Sequence, residues 1–368
     1  MISTLNPKVL FLGLLIAITS CNSSQNTSSS SKKTDEFLIN TIAFYNLENL
    51  FDTEDDPDKF DEASPIMEIA EGEREAIYQK KVANMAKAIA DIGSELTGMP
   101  PAVIGVCEVE NFQVLQDVVN NKRLSSYNYG IIHYNSPDAR SIDVALLYQK
   151  NIFRPSYSKA HELVLYKNNG KSKRKYTRDQ LHVKGKLDGE EVHFIVNHWP
   201  SRSGGEKKSR PNRINAAKLT KTLKDSIQMQ EPYAKIMIMG DFNDGPYNES
   251  IKGVLEAKAS AGDVGLKGLY NPFEKLHKQG VGTIAWRDTW DVFDMIMVSK
   301  PLINRDDYSS YTLYKAKIFN PFYLQNPKGR YKGYPYRAFA DGGFTGGYSD
   351  HFPVYTYLIK RKDSDGGE

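Results

Sequence analysis

The chain has 368 residues, 40% hydrophobic and 11% aromatic, which is enough apolar side chain to build the core of one large domain. Its formal net charge of +3, from 48 basic and 45 acidic residues, excludes a polybasic nucleic-acid-coating protein, so an anionic substrate must be held by local charge. No internal repeat at a fixed period is present.

At the N-terminus Lys8 precedes an apolar run, Val9 to Ile18, that is too short for a membrane span. Ile18-Thr19-Ser20 then leads into Cys21, and small residues before a cysteine resemble a bacterial lipoprotein signal. That resemblance implies removal of residues 1–20, lipidation of Cys21, and a lipid-anchored place in a bacterial cell envelope, at the outer membrane. An uncleaved anchor or a plain secretory signal is the alternative. Residues 21–36 are Ser/Thr-rich and read as a flexible tether, residues 37–362 as the folded domain, and residues 363–368 as a polar tail. Cys107 is the only other cysteine, so a mature chain has no intrachain disulfide. Its apolar surroundings predict a buried structural thiol rather than a nucleophile.

In chain order, a strand through Ile42, Phe44 and Tyr45 is expected to stop at Asn46, before an acidic loop. Val82, Met85, Ile89 and Ile92 recur at helical spacing between Glu73 and Ile92, and Gly93 closes that helix. Val103 to Val106 reads as a short buried strand leading to Glu108, followed by a helix lined by Val114, Leu115, Val118 and Val119. Further strands are predicted at 142–148, 192–196, 236–239, 293–298 and 354–358, with a helix carrying Leu219, Leu223 and Ile227. Hairpin-like pairs mixed with helices favour an α/β (α+β) fold, a two-layer sandwich of mixed sheets flanked by helices, over a simple doubly wound sheet. Residues 301–347 are Tyr-, Gly- and Pro-rich without period and read as a long insertion near the site.

Catalytic-type side chains end or flank these apolar runs. Asn46 and Glu108 with a third oxygen donor would make the open, partly hydrated site that Mg²⁺ prefers, whereas no Cys/His spacing suits a structural zinc. In Gly240-Asp241-Phe242-Asn243, alternation predicts Asp241 and Asn243 on one face of extended chain. His198 and His351 are two of seven histidines, and Asp294 and Asp350 are candidate carboxylate partners. With such partners, one imidazole can take a proton from water while the other protonates a leaving alkoxide.

The stretches FYNLEN, CEVEN, NHWPSR, GDFN, DMIMVS and SDHFPV together resemble the ordered motif set of the endonuclease/exonuclease/phosphatase superfamily, over roughly residues 38–360. The resemblance implies a deoxyribonuclease-like fold and a Mg²⁺ or Mn²⁺ ion, with room for a second divalent cation. It implies that Asn46, Glu108 and Asp350 hold the metal, that His351 oriented by Asp294 activates water, and that His198 protonates the leaving group. Asp241 and Asn243 would position water and the scissile phosphate, and Arg140 would bind phosphate. Asp143 either faces the site or caps its strand.

Two basic runs offer charge for an extended anion. One covers 171–178 with Lys171, Lys173, Arg174, Lys175 and Arg178; the other covers 201–213, where Ser201, Arg202, Arg210 and Arg213 follow His198 and are expected to bind phosphate. One departure stands out. Where pancreatic deoxyribonuclease carries DNA-contacting arginines, two residues after the matching Asn and Glu, this chain has Glu48 and Glu110. The expected function is a secreted, monomeric, metal-dependent endonuclease. The alternatives are a phosphoesterase for a phospholipid headgroup, inositol phosphate or nucleotide, and a non-catalytic surface binding module.

Overall fold

The computed structural model describes residues 36–57, 59–167 and 173–362. The signal run, Cys21, Lys171 and the tail 363–368 lie outside the described residues. Among the described residues no helix is long and apolar enough to cross a membrane.

The principal strands in chain order are β1 (Phe37–Leu50), β2 (Val103–Val109), β3 (Tyr129–His133), β4 (Asp143–Gln149), β5 (Phe153–His161) and β6 (Gln180–Leu187). They continue as β7 (Glu190–His198), β8 (Ile236–Asp241), β9 (Leu269–Tyr270), β10 (Asp294–Ser299), β11 (Thr312–Ile318) and β12 (Val354–Arg361). The main helices are α1 (Glu71–Asp91), α2 (Phe112–Asn120) and α3 (Glu206–Gln230). One sheet runs β11-β12-β1-β2-β4-β3 and the other β9-β10-β8-β7-β6-β5. Each is mixed, because β1 pairs parallel with β2 and β7 parallel with β8 while their other neighbours are antiparallel.

Side-chain alternation sorts each strand into two faces. Even-numbered residues of β1, Ile42 and Phe44, join Val196, Phe194, Met237 and Met239 in the core between the sheets. Odd-numbered Ala43 and Tyr45 pack outward against Val82, Met85 and Ile89 of α1 and Val114 and Val118 of α2. At Gly105 on β2 the facing sheet comes close. A methyl group there would sit 2.7 Å from Met239 Sδ and 3.1 Å from Val196 Cγ1.

Three expectations need correction. The first strand does not stop at Asn46 but runs on to Leu50, with its register against β2 broken between those residues. Residues 301–347 are not one structureless insertion, since β11 lies within them and forms the edge of the first sheet beside β12. Residues 304–311 and the part after Ile318 are mainly loop. Strands β3, β5 and β6 were not individually predicted. The half-exposed β5 in particular mixes polar and apolar residues without the apolar run that marks a buried strand.

Candidate active site

At one end of the sandwich the apolar interior turns polar within a single row. The register of β7, β8 and β10 places His198 opposite Asp241, and Asp241 opposite Asp294. All three therefore project from the same sheet face, one row beyond Val196, Met239 and Ile296. Across the gap the first sheet contributes Asn46, whose Nδ2 donates to Asp241 Oδ2 at 3.2 Å.

Bulges turn the next residues toward this end. Glu48, Asn49 and Glu108 all have positive φ, at 47°, 51° and 58°. At Glu108 the β2 register shifts between Cys107 and Val109, which releases its side chain from strict alternation. Its Oε2 accepts from Asn49 N at 3.1 Å, while Oε1 faces Arg140 at 3.9 Å and His198 Nε2 at 3.7 Å. Asn243 also departs from extended chain, with φ 50°. The expected alternation with Asp241 is thus replaced by a turn in which Asn243 N donates to Asp241 Oδ1 at 2.9 Å. Its Nδ2 donates to the Trp199 carbonyl at 3.0 Å, tying this turn to the chain just after His198.

The last motif closes the site. His351 N donates to Ser349 Oγ, which in turn donates to the Asn46 carbonyl, so the ends of β1 and of this loop are locked together. His351 Nδ1 meets Asp294 Oδ2 at 2.7 Å, and its Nε2 faces Asp241 Oδ2 at 3.9 Å. His198 Nε2 approaches that same oxygen at 3.6 Å. Two imidazoles carried by different sheets therefore converge on one buried carboxylate.

Their environments push them apart. Burial lowers the proton affinity of His198, and Arg178 and Arg140 add to the effect, so it is neutral. For His351 burial acts in the same direction but the carboxylates of Asp294 and Asp241 outweigh it, so it holds its proton well above the usual histidine range. Asp241 is raised to about 7 by burial and by the nearby Asp294 and Glu108, against the pull of His351.

The donor set fits a divalent cation. Asn46, Glu108 and Asp350 supply hard oxygens, and the Arg140 guanidinium and the His198 ring stay beyond hydrogen-bond distance of Glu108 Oε1, at 3.9 and 3.7 Å. Asp294 Oδ1 is buried with no partner, and Asp241 is raised first by burial and then by the neighbouring carboxylates. The grouping Asp241, Asp294 and His351 has ligand atoms within 4.8 Å of one another, which leaves room for a second cation beside the first. When bound, such an ion would polarise a phosphoryl oxygen and neutralise developing charge.

Other expected residues are placed differently. Arg213 is wholly buried, with Nε 2.6 Å from Asp244 Oδ1, so it braces the turn after Asn243 and does not reach solvent. Arg202 donates to the Asn243 carbonyl and to Asn248, stacks over Phe293, and braces the same turn while only partly exposed. Arg210 is exposed but doubly bonded to Glu206 one helical turn earlier. Ser201 is exposed and its carbonyl accepts from Arg213. Arg178, from the other basic run, is buried against Asp138 and the Trp199 carbonyl. Arg140 alone of the named set is half exposed at the mouth, beside Glu108. Asp143 caps its strand region, accepting from Ser136 and meeting His133 at 3.0 Å. Cys107 is buried, and that burial raises its thiol well above the ordinary range, as an inert structural residue requires.

Sequence reasoning missed four contributors. Thr283 Oγ1 accepts from the backbone of Phe293 and Asp294 and fixes the start of β10. Ser349 makes the lock just described. Lys81, on α1, is fully buried with Nζ unbonded, and it senses the carboxylates of Glu48, Asp350 and Glu108. Arg337 bonds both Glu48 and Asp350. A lysine at an inward position of α1 was a readable signal for the third; nothing local marked Arg337.

Comparison with known proteins agrees with this geometry. Residues 41–360 match the model of the Endonuclease/Exonuclease/phosphatase family. An endonuclease/exonuclease/phosphatase family protein from Bacteroides thetaiotaomicron superposes with a TM-score of 0.53 at 16% identity, covering 91% of this chain and 100% of that one. A mannosyl-6-phosphatase from Bacteroides thetaiotaomicron VPI-5482 gives 0.51 at 17% identity, covering 87% and 99%. D. rerio TDP2 complexed with single strand DNA product gives 0.50 at 12% identity, covering 87% and 98%. These low identities speak to the fold alone. No curated protein sequence matches the chain. The family match spans nearly all of the described unit, and the chain belongs to the endonuclease/exonuclease/phosphatase family, whose members are phosphoric ester hydrolases that generally use divalent metal ions.

Proposed function

We propose that the chain is a metal-dependent phosphoesterase that hydrolyses a compact or chain-terminal phosphate ester by in-line attack of water. The observation that carries this is the convergence of His198 Nε2 and His351 Nε2 on Asp241 Oδ2, beside oxygen donors suited to Mg²⁺ or Mn²⁺. In-line displacement needs one group to accept the proton of water and another to supply one to the leaving oxygen. Two titratable groups driven apart by their surroundings are the usual means. Asp294 fixes the His351 ring, and Asn46 fixes Asp241.

The endonuclease reading, in which a long duplex lies along basic loops, loses support from the side chains themselves. Arg202, Arg210 and Arg213 already pair with Asp244, Asn248 and Glu206, and Glu48 and Glu110 are buried acids. The cations left at the mouth suit one phosphate rather than a backbone. Attack on nucleic-acid ends is kept as a second reading by the shared fold with a TDP2 that binds single strand DNA product. The lipoprotein reading belongs to the same proposal: Cys21 would tether the unit to a bacterial envelope, and loss of fatty-acid labelling in Cys21→Ala would show it.

The test is hydrolysis of sugar phosphates, bis-p-nitrophenyl phosphate, single-stranded DNA and plasmid with Mg²⁺, Mn²⁺ or EDTA, beside His198→Ala and His351→Ala. Metal-dependent turnover of small esters that both variants lose is expected. Efficient plasmid nicking would restore the endonuclease reading, and no metal-dependent turnover of any substrate would sink the enzymatic one.

A further inference from the structure

We propose that Arg337, contributed by the loop between β11 and β12, is a substrate-phosphate-binding arm of the site, paired with Arg140 on its other side. The inference rests on the phosphoesterase reading and names the group that recognises the phosphate.

The geometry begins with Glu48. Its Oε2 accepts from Ala338 N at 2.6 Å, and its Oε1 meets Arg337 Nε at 3.4 Å. This carboxylate is buried on the β1 bulge, two residues beyond Asn46, and so anchors both the backbone and the side chain of the incoming loop. Thr345 Oγ1 accepts from Gly347 N and donates to the Arg337 carbonyl at 2.5 Å, while Thr345 N donates to the Ala338 carbonyl, which fastens the return of that loop. Arg337 is thereby aimed rather than free. Its Nη2 then donates to Asp350 Oδ2 at 3.1 Å, immediately before His351.

The side chain remains 52% exposed. An arginine has five N–H donors, and two of them take Glu48 and Asp350. Among the described residues the other three have no hydrogen-bond acceptor. Arg140 mirrors this arrangement: it is 53% exposed and 3.9 Å from Glu108 Oε1. Each of the two exposed guanidinium groups thus rests against one of the two carboxylates that would hold the cation. An anion entering above them meets donors on both sides, and the planar fork of a guanidinium matches two phosphate oxygens. Beneath them the buried Lys81 adds a third positive charge that does not reach the mouth. The buried Arg213–Asp244 pair differs in having no donor left open to solvent.

The experiment uses inorganic phosphate as the probe on the full-length chain with Mn²⁺. Competitive inhibition of bis-p-nitrophenyl phosphate hydrolysis is measured, together with the rise in melting temperature that phosphate causes, which does not depend on turnover. Arg337→Gln is expected to weaken phosphate inhibition and raise KM by about tenfold or more, as loss of a charge-assisted hydrogen bond requires, with a smaller change in kcat. Its phosphate-induced melting shift should vanish, and Arg337→Lys should recover part of each effect. Arg337→Gln that melts like wild type but keeps wild-type phosphate inhibition overturns this inference alone. If Arg337→Gln does not fold, Arg337→Lys decides by the same two readouts, and an unchanged phosphate response there also overturns it. A wild-type chain with neither turnover nor a phosphate-induced shift sinks this inference and the phosphoesterase reading together.

Discussion

Arg213 and Arg337 are both arginines set between carboxylates close to the catalytic row, yet they are opposite kinds of residue. Arg213 projects from α3 into the interior, has no exposed surface, and spends its guanidinium on Asp244, Ser209 and the Ser201 carbonyl. Arg337 comes from a loop, rests on Glu48 and Asp350, and leaves half its side chain open to solvent. Burial is the difference. A desolvated guanidinium must have its partners within the protein, whereas an exposed one beside an acid cluster retains donors for a ligand. The arginine that looked like a ligand-binding group from its place after His198 is a brace, and the one in an unremarked loop is at the mouth.

The largest expected effect that sharpens this contrast is on stability. Arg213→Ala leaves Asp244 buried without its main counter-charge and should cost about 3–5 kcal/mol in urea unfolding. The molecules that remain folded should keep a KM near that of wild type; a large KM change at small stability cost would break the comparison. Glu48→Ala is predicted to fall between the two classes. It removes the acceptor of Ala338 N and the rest for Arg337, so about 1–3 kcal/mol of stability should be lost and KM should rise as well. Steady-state kinetics alongside thermal unfolding reads both.

Arg140→Ala should raise KM by about tenfold, roughly 1.4 kcal/mol, and leave unfolding within about 0.5 kcal/mol of wild type. If stability suffers instead, Arg140 belongs with Arg213. Smallest of all is Arg210→Ala. Its pair with Glu206 is an exposed contact one turn apart on a helix, screened by solvent, so the smallest change in unfolding of the series and none in KM are expected. A tenfold loss of activity there would revive the reading of the run 201–213 as a phosphate track.

Much of the site was legible in the sequence because strands carry their own periodicity. The apolar runs before His198 and Asp241 and after Asp294 predicted strands with a polar side chain at one end, and three such ends become one row once the strands pair in register. Cys107 was legible as a buried thiol from its apolar neighbours, and Asn46 as a polar side chain after an apolar run. What the sequence hid were departures from it. The bulges that re-aim Glu48 and Glu108, and the left-handed Asn243, interrupt a period of two without a glycine to announce it. The edge strand β11 was masked by Tyr-rich polar sequence, since an edge buries only part of one face.

The chain by itself thus determined which chemistry is available: two histidines, a set of carboxylates and hard oxygen donors at the ends of buried strands, a combination that suits hydrolysis of a phosphate ester. Tertiary structure alone decided which charges are free to act. Whether Arg213 or Arg337 meets solvent, whether Lys81 is stranded beneath the acids, and which imidazole holds its proton all depend on partners brought in from distant segments. Those partners are separated by tens to hundreds of residues, as Glu48 is from Arg337. Electrostatic energy depends on distance and burial, and neither is a property of sequence order.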